Sequence, residues 1–116
     1  MPAIDKSRIL IVATDGFERS ELFQPLEALR ERGATVHVAT PGGESAKSWD
    51  KTDWGDSVEA DLAVADVEPR DYDAIVLPGG QINPDILRTK PEAVALVRAF
   101  HDDRKTVAAI CHGPWM

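Results

Sequence analysis

The stretch Arg8-Ile9-Leu10-Ile11-Val12-Ala13 is a short, continuous apolar run rich in branched side chains. A strand that is apolar on both faces belongs inside a parallel sheet covered on both sides. It runs into a polar turn at Thr14-Asp15-Gly16. Beyond the turn, Leu22, Leu26 and Leu29 recur at helical spacing. Pro25 is expected in the first turn of that helix, where its missing N–H costs little, and Gly33 is expected to close it as a left-handed cap. Thr35-Val36-His37-Val38-Ala39 reads as a second strand, and the strand-helix-strand order implies a right-handed crossover between parallel strands. The chain is therefore read as α/β.

The same signal returns twice. Asp73-Ala74-Ile75-Val76-Leu77 reads as a buried strand ending in Pro78-Gly79-Gly80, and Thr106-Val107-Ala108-Ala109-Ile110 as a last buried strand running into Cys111. Between them, Asn83-Pro84-Asp85 reads as the N-cap and first-turn proline of a short helix carrying Ile86 and Leu87. Pro91 opens a further helix with Ala93, Leu96, Val97 and Phe100 on its apolar face and Glu92, Arg98, His101 and Asp102 toward water. Pro41 to Asp56, with Trp49 and Trp54 flanking Asp50-Lys51-Thr52-Asp53, reads as an excursion outside the core, and Ser57 to Val67 as holding one more strand.

A chain of 116 residues suits one domain. Its 43% apolar and 28% charged content is that of a soluble globular protein and not of a disordered one. Thirteen Lys and Arg against twenty Asp and Glu give a net charge of −7, which argues against nucleic acid as a partner. With no signal-peptide pattern at the start and no apolar run of about 20 residues, no membrane association is expected and the expected location is the cytoplasm. No G-x-G-x-x-G or G-K-[ST] follows a strand, so no nucleotide cofactor is expected. His37 and His101 read as structural or solvated. Adjacent Cys111 and His112 make a poor metal site, and no metal is expected.

A single cysteine is either inert packing or a lone reactive thiol. Cys111 follows a buried strand, at the carboxyl edge where open α/β sheets hold ligands. On a sharp strand-to-helix turn, the N–H of the next residue, His112, would help hold an oxyanion, and a following helix would favour the thiolate. Gly79 and Gly80 offer backbone N–H groups at a second strand end, or make a simple turn. Glu18 follows a third strand end, where a carboxylate can handle a proton or merely face a helix terminus.

Three ordered marks carry a resemblance: Asp15-Gly16-Phe17-Glu18 with Glu21-Leu22, then Tyr72 to Gly80, then Ala108-Ala109-Ile110-Cys111-His112-Gly113-Pro114-Trp115. The chain resembles the ThiJ/PfpI superfamily of PfpI-type intracellular peptidases, deglycases and stress proteins, relatives of class I glutamine amidotransferases. The resemblance implies a doubly wound, mostly parallel, flavodoxin-like sheet, and a chain that ends just after the nucleophile turn. It implies Cys111 as nucleophile, Glu18 as the acidic partner of the thiol, and His112 as the histidine beside it. Asp85 is the nearest match to an acidic residue supplied across a homodimer or larger assembly. The expected activity is a stress-protective cysteine hydrolase acting on small carbonyls, glycated proteins or peptides. The rival expectations are a redox sensor or holdase chaperone using an oxidisable Cys111, and a chain of this length that does not fold alone.

Overall fold

Residues Arg8–Val12 form β1 at the centre of a five-stranded sheet in the computed structural model, which describes residues 3–80 and 82–110. Along the chain follow β2 (Phe17–Glu18), α1 (Arg19–Glu31), β3 (Thr35–Thr40), β4 (Ala46–Asp50), β5 (Asp53–Val58), β6 (Leu62–Ala63), β7 (Ala74–Leu77), α2 (Asn83–Leu87), α3 (Pro91–Asp102) and β8 (Thr106–Ala109). The sheet order is β6-β3-β1-β7-β8, with every neighbouring pair parallel. From β1 the chain builds outward through β3 and β6, then returns to lay β7 and β8 on the other side. This is a doubly wound α/β fold whose strand order reverses between β1 and β7, and such a reversal opens a crevice at the carboxyl ends of the two strands.

Successive residues of a strand face opposite sides, which is why β1 is apolar throughout. Ile9 and Ile11 join Phe17, Leu22, Leu26, Val36 and Val38 in the core on the α1 side. Leu10 and Val12 join Ile75, Leu77, Leu87, Leu96 and Phe100 in the core on the side of α2 and α3. Burying each such side chain stabilises the fold by about 1.5–3 kcal/mol, so both helical layers are held by the same central strands.

Helix α1 ends as expected. Gly33 takes φ +90, its N–H donates to Arg30 O at 3.0 Å, and the Ala34 N–H donates to Leu29 O at 3.1 Å. This pair of bonds is a Schellman cap. The start of α1 differs from expectation. The helix begins at Arg19, with Glu18 as its N-cap, so Pro25 lies in the interior, where no N–H is available for the Glu21 carbonyl.

Two further expectations are corrected. Ile82, not Asn83, is the N-cap of α2, and Asn83 is its first helical residue, with its side chain engaged elsewhere. Residues 106–109 do form a strand, but all four are exposed. β8 is an edge with only β7 beside it among the described residues, and α1 packs over β2, β3 and β4 on the far side of the sheet.

The excursion after β3 is ordered. β4 and β5 pair antiparallel, and β2 pairs parallel with β4, giving a second sheet of three strands in the order β2-β4-β5. Its register sets Glu18 beside Trp49 and Trp49 beside Trp54. Among the described residues, no helix is long and apolar enough to cross a membrane.

Candidate active site

The crevice at the β1/β7 reversal is closed by the two loops that leave those strands. Gly80 takes φ +93, and a Cβ there would lie 2.5 Å from Gly16 O and 2.7 Å from Glu18 N. Only glycine allows the β7 loop to lie this close against the β1 loop. Gly16, at φ +83, is packed in turn against the Ile82 side chain. The Glu18 N–H donates to Gly79 O at 3.3 Å. Glu18 and Gly80, which the sequence marked at separate strand ends, are thus brought together.

Asn83 ties this junction from below. It is wholly buried, its Oδ1 accepts from the Thr14 N–H at 2.8 Å, and its Nδ2 donates to Pro78 O at 2.9 Å and Gly79 O at 3.3 Å. One side chain therefore satisfies backbone groups from the ends of both β1 and β7. Glu21, on the first turn of α1, adds a second tie: its Oε1 accepts from the Gly79 N–H at 2.9 Å. That bond occupies the Gly79 N–H, so Gly79 does not serve as an oxyanion donor in this arrangement. Among the described residues, the Gly80 N–H has no such acceptor.

The half-buried Glu18 carboxylate is reached by the β4–β5 hairpin. The Lys51 N–H donates to Glu18 Oε1 at 3.2 Å, and Trp49 Nε1 donates to Lys51 O at 2.9 Å. Arg19, next to Glu18, pairs with Asp56 of β5 at 3.1 Å. Asp15 Oδ1 accepts from the Lys47 N–H at 2.8 Å. The hairpin is thereby fastened to the β1 loop along its length.

Asp85 is exposed on α2, with Asn83 and Pro84 buried before it. Cys111 and His112 lie outside the described residues. The last described contact before them is the Ile110 N–H donating to Leu77 O at 3.1 Å, beside the start of the Pro78-Gly79-Gly80 loop. No group of three or more His, Cys, Asp or Glu among the described residues could hold a metal ion.

The opposite end of the sheet carries a polar cluster of another kind. His37 Nδ1 and Tyr72 Oη are 2.7 Å apart, and the Arg8 guanidinium lies 5.6 Å over the Tyr72 ring. Burial raises the Tyr72 pKa above the ordinary tyrosine value, Arg8 opposes that rise, and Asp71 and Asp61 add to it. This cluster sits before β7 and not after it, away from the crevice.

Asn83, Glu21, Trp49 and Lys51 were not read from the sequence as site residues. The Asn-Pro pair signals a helix start, which hides a buried amide, and no local pattern reports a bond spanning 69 residues in sequence.

The family model that matches residues 7–116 is described as the DJ-1/PfpI family. A deglycase of Thermococcus kodakarensis is 43% identical over 107 residues, covering 92% of this chain and 61% of its own length. The protein/nucleic acid deglycase 2 of Escherichia coli is 36% identical over 108 residues, covering 92% of this chain and 60% of its own. The solved structure of oxidized DJ-1 from Toxoplasma gondii superposes with a TM-score of 0.83 at 28% identity, covering 94% of this chain and 58% of its own. The chain thus spans about 60% of the length of the curated relatives it matches.

Proposed function

The chain belongs to the DJ-1/PfpI family, and from that premise we propose that it carries the nucleophile and acid of a cysteine-dependent hydrolase that removes carbonyl damage. The observation that carries this reading is the junction of Glu18 and Gly80 at the β1/β7 reversal, built by Asn83 and by the close approach of Gly80 to the Glu18 backbone.

In the proposed step the Cys111 thiolate adds to an electrophilic carbonyl carbon. A C–S bond forms as the C=O pair moves onto oxygen. The Gly80 and His112 N–H groups hold that oxyanion, and Gly79 does not, because its N–H is committed to Glu21. Glu18 and His112 manage the protons. On a peptide the amine leaves protonated from the attacked carbon, and water hydrolyses the remaining thioester. On a dicarbonyl the oxyanion is protonated to a hemithioacetal, whose carbon-bound proton passes by way of an enediol to the neighbouring carbonyl carbon, leaving a 2-hydroxy thioester that water hydrolyses; a glycated amine or thiol first leaves protonated from its carbinol carbon and frees that dicarbonyl. Asp85, exposed on α2, is available to a second copy, in keeping with a homodimer or larger assembly. The substrates proposed are small carbonyls, glycated proteins or peptides. The net charge of −7 disfavours glycated nucleic acid.

The test is turnover by the intact protein of a small dicarbonyl, a glycated protein and a glycated oligonucleotide. Cys111→Ser is expected to abolish activity on the first two, with the oligonucleotide a poor substrate throughout. Undiminished turnover by Cys111→Ser refutes the mechanism. Selective peroxide oxidation of Cys111 without turnover on any of the three favours a redox sensor instead.

A further inference from the structure

We infer that Trp49 is a positioning residue for Glu18, acting through the backbone of Lys51. This rests on the catalytic role proposed for Glu18. Lys51 has φ +60, and the Thr52 N–H donates to Asp50 O at 2.6 Å across it. These features describe a tight γ-turn of the positive-φ kind, a rare and strained conformation for a residue with a side chain. Both polar groups of Lys51 are engaged. Its N–H is aimed at Glu18 Oε1 at 3.2 Å, and its carbonyl accepts from Trp49 Nε1 at 2.9 Å.

The geometry of the small sheet makes Trp49 the natural clamp. Trp49 is paired in register with Glu18 on one side and with Trp54 on the other. Its ring stands edge-on to Trp54, with centroids 5.2 Å apart and an interplanar angle of 84°. Lys47 Nζ lies 5.9 Å over the Trp54 ring. The indole plane is thus fixed before its N–H is used. The bond to Lys51 O favours the turn that a lysine would otherwise leave, and the turn presents an N–H to one oxygen of the Glu18 carboxylate. The other oxygen is not used by this turn. A hydrogen bond of ordinary strength changes the population of the ordered turn by a factor of about five to ten.

Trp49→Phe keeps an aromatic ring, though a smaller one, beside Trp54 and removes the N–H donor. The charged groups around Glu18 stay in place: Arg19 on Asp56, Glu21 on the Gly79 N–H, Asp15 on the Lys47 N–H, and Lys47, Asp50, Lys51 and Asp53 on the hairpin. In the intact protein, Trp49→Phe is expected to speed hydrogen exchange of the Lys51 amide about fivefold to tenfold. It should also move the pH midpoint of Cys111 alkylation and lower kcat at unchanged KM. The double variant Trp49→Phe/Lys51→Gly should recover most of the lost kcat, because glycine holds a positive φ without the clamp. Exchange and alkylation midpoints equal to those of the unsubstituted protein would overturn the inference. If Cys111→Ser retained full turnover, the catalytic reading would fail on its own, and the Lys51 exchange rate would still decide whether Trp49 orders the turn.

Discussion

Replacing Asn83 by alanine probes the junction on which the site depends. The substitution of the wholly buried Asn83 strips the Thr14 N–H of its acceptor and the Pro78 carbonyl of its donor, both on buried residues. Gly79 O is less affected, because it keeps the Glu18 N–H. Two buried backbone groups without partners cost about 1–3 kcal/mol each, so the loss centres near 4 kcal/mol. The readout is the shift in urea midpoint at a common slope, converted to free energy. Asn83→Asp separates the two halves of the tie. The new carboxyl can still accept from Thr14, but it faces the oxygens of Pro78 and Gly79, where only its protonated form can donate. Its folded pKa is therefore raised above the unfolded value of about 3.9. The folded state then binds the extra proton, so the stability this group lends is present below about pH 4 and is lost as the pH rises through the folded pKa. A loss below about 1 kcal/mol for Asn83→Ala, or an Asn83→Asp protein whose pH profile matches the parent, would refute the account of the junction.

Two glycines give a contrast of the same kind. Gly80→Ala puts a Cβ 2.5 Å from Gly16 O at φ +93 and is expected to cost about 2 kcal/mol or more, measured by urea unfolding, and to slow Cys111 alkylation. Gly42→Ala meets only the movable Glu44 carboxylate and should stay within about 0.5 kcal/mol in the same assay. Tyr72 is the single tyrosine of the 116 residues, so an absorbance titration reads it alone. Its midpoint should lie above the ordinary value of about 10, because burial favours the neutral phenol. The stability it lends is then present below pH 10 and lost as the pH rises through the folded pKa, and Tyr72→Phe should remove that alkaline loss.

What could be read from the sequence depended on whether a residue's partner was near in sequence or implied by periodicity. β1, β3 and β7 were legible because strands covered on both faces must be apolar throughout. Gly33 was legible because a Schellman cap is a local event. Pro25 was misplaced because the start of α1 is set by the turn at Glu18 and not by the leucine spacing. The hairpin escaped because its two-residue tip is Lys51-Thr52, where Asn-Gly or Gly-X would have announced it. Lys51 holds its positive φ with help from Trp49, a bond the sequence pattern does not report. Exposure of β8 escaped for the opposite reason: its composition is that of an interior strand, but among the described residues it has β7 on one side and no strand on the other. Of the site, Glu18 and Gly80 were marked as belonging to strand ends. Asn83 and Glu21, which hold those ends together, are polar residues that each reach one partner far along the chain, Glu21 to Gly79 across 58 residues and Asn83 to Thr14 across 69.

The edge-on pair of Trp49 and Trp54 also gives the molecule an optical signature. Two indoles 5.2 Å apart and nearly perpendicular have coupled transition dipoles, so they contribute a paired positive and negative band to the circular dichroism spectrum. That couplet disappears when the hairpin opens, even if the main sheet stays intact. The state of the strands beside Glu18 can therefore be followed by light alone, without a substrate or a label.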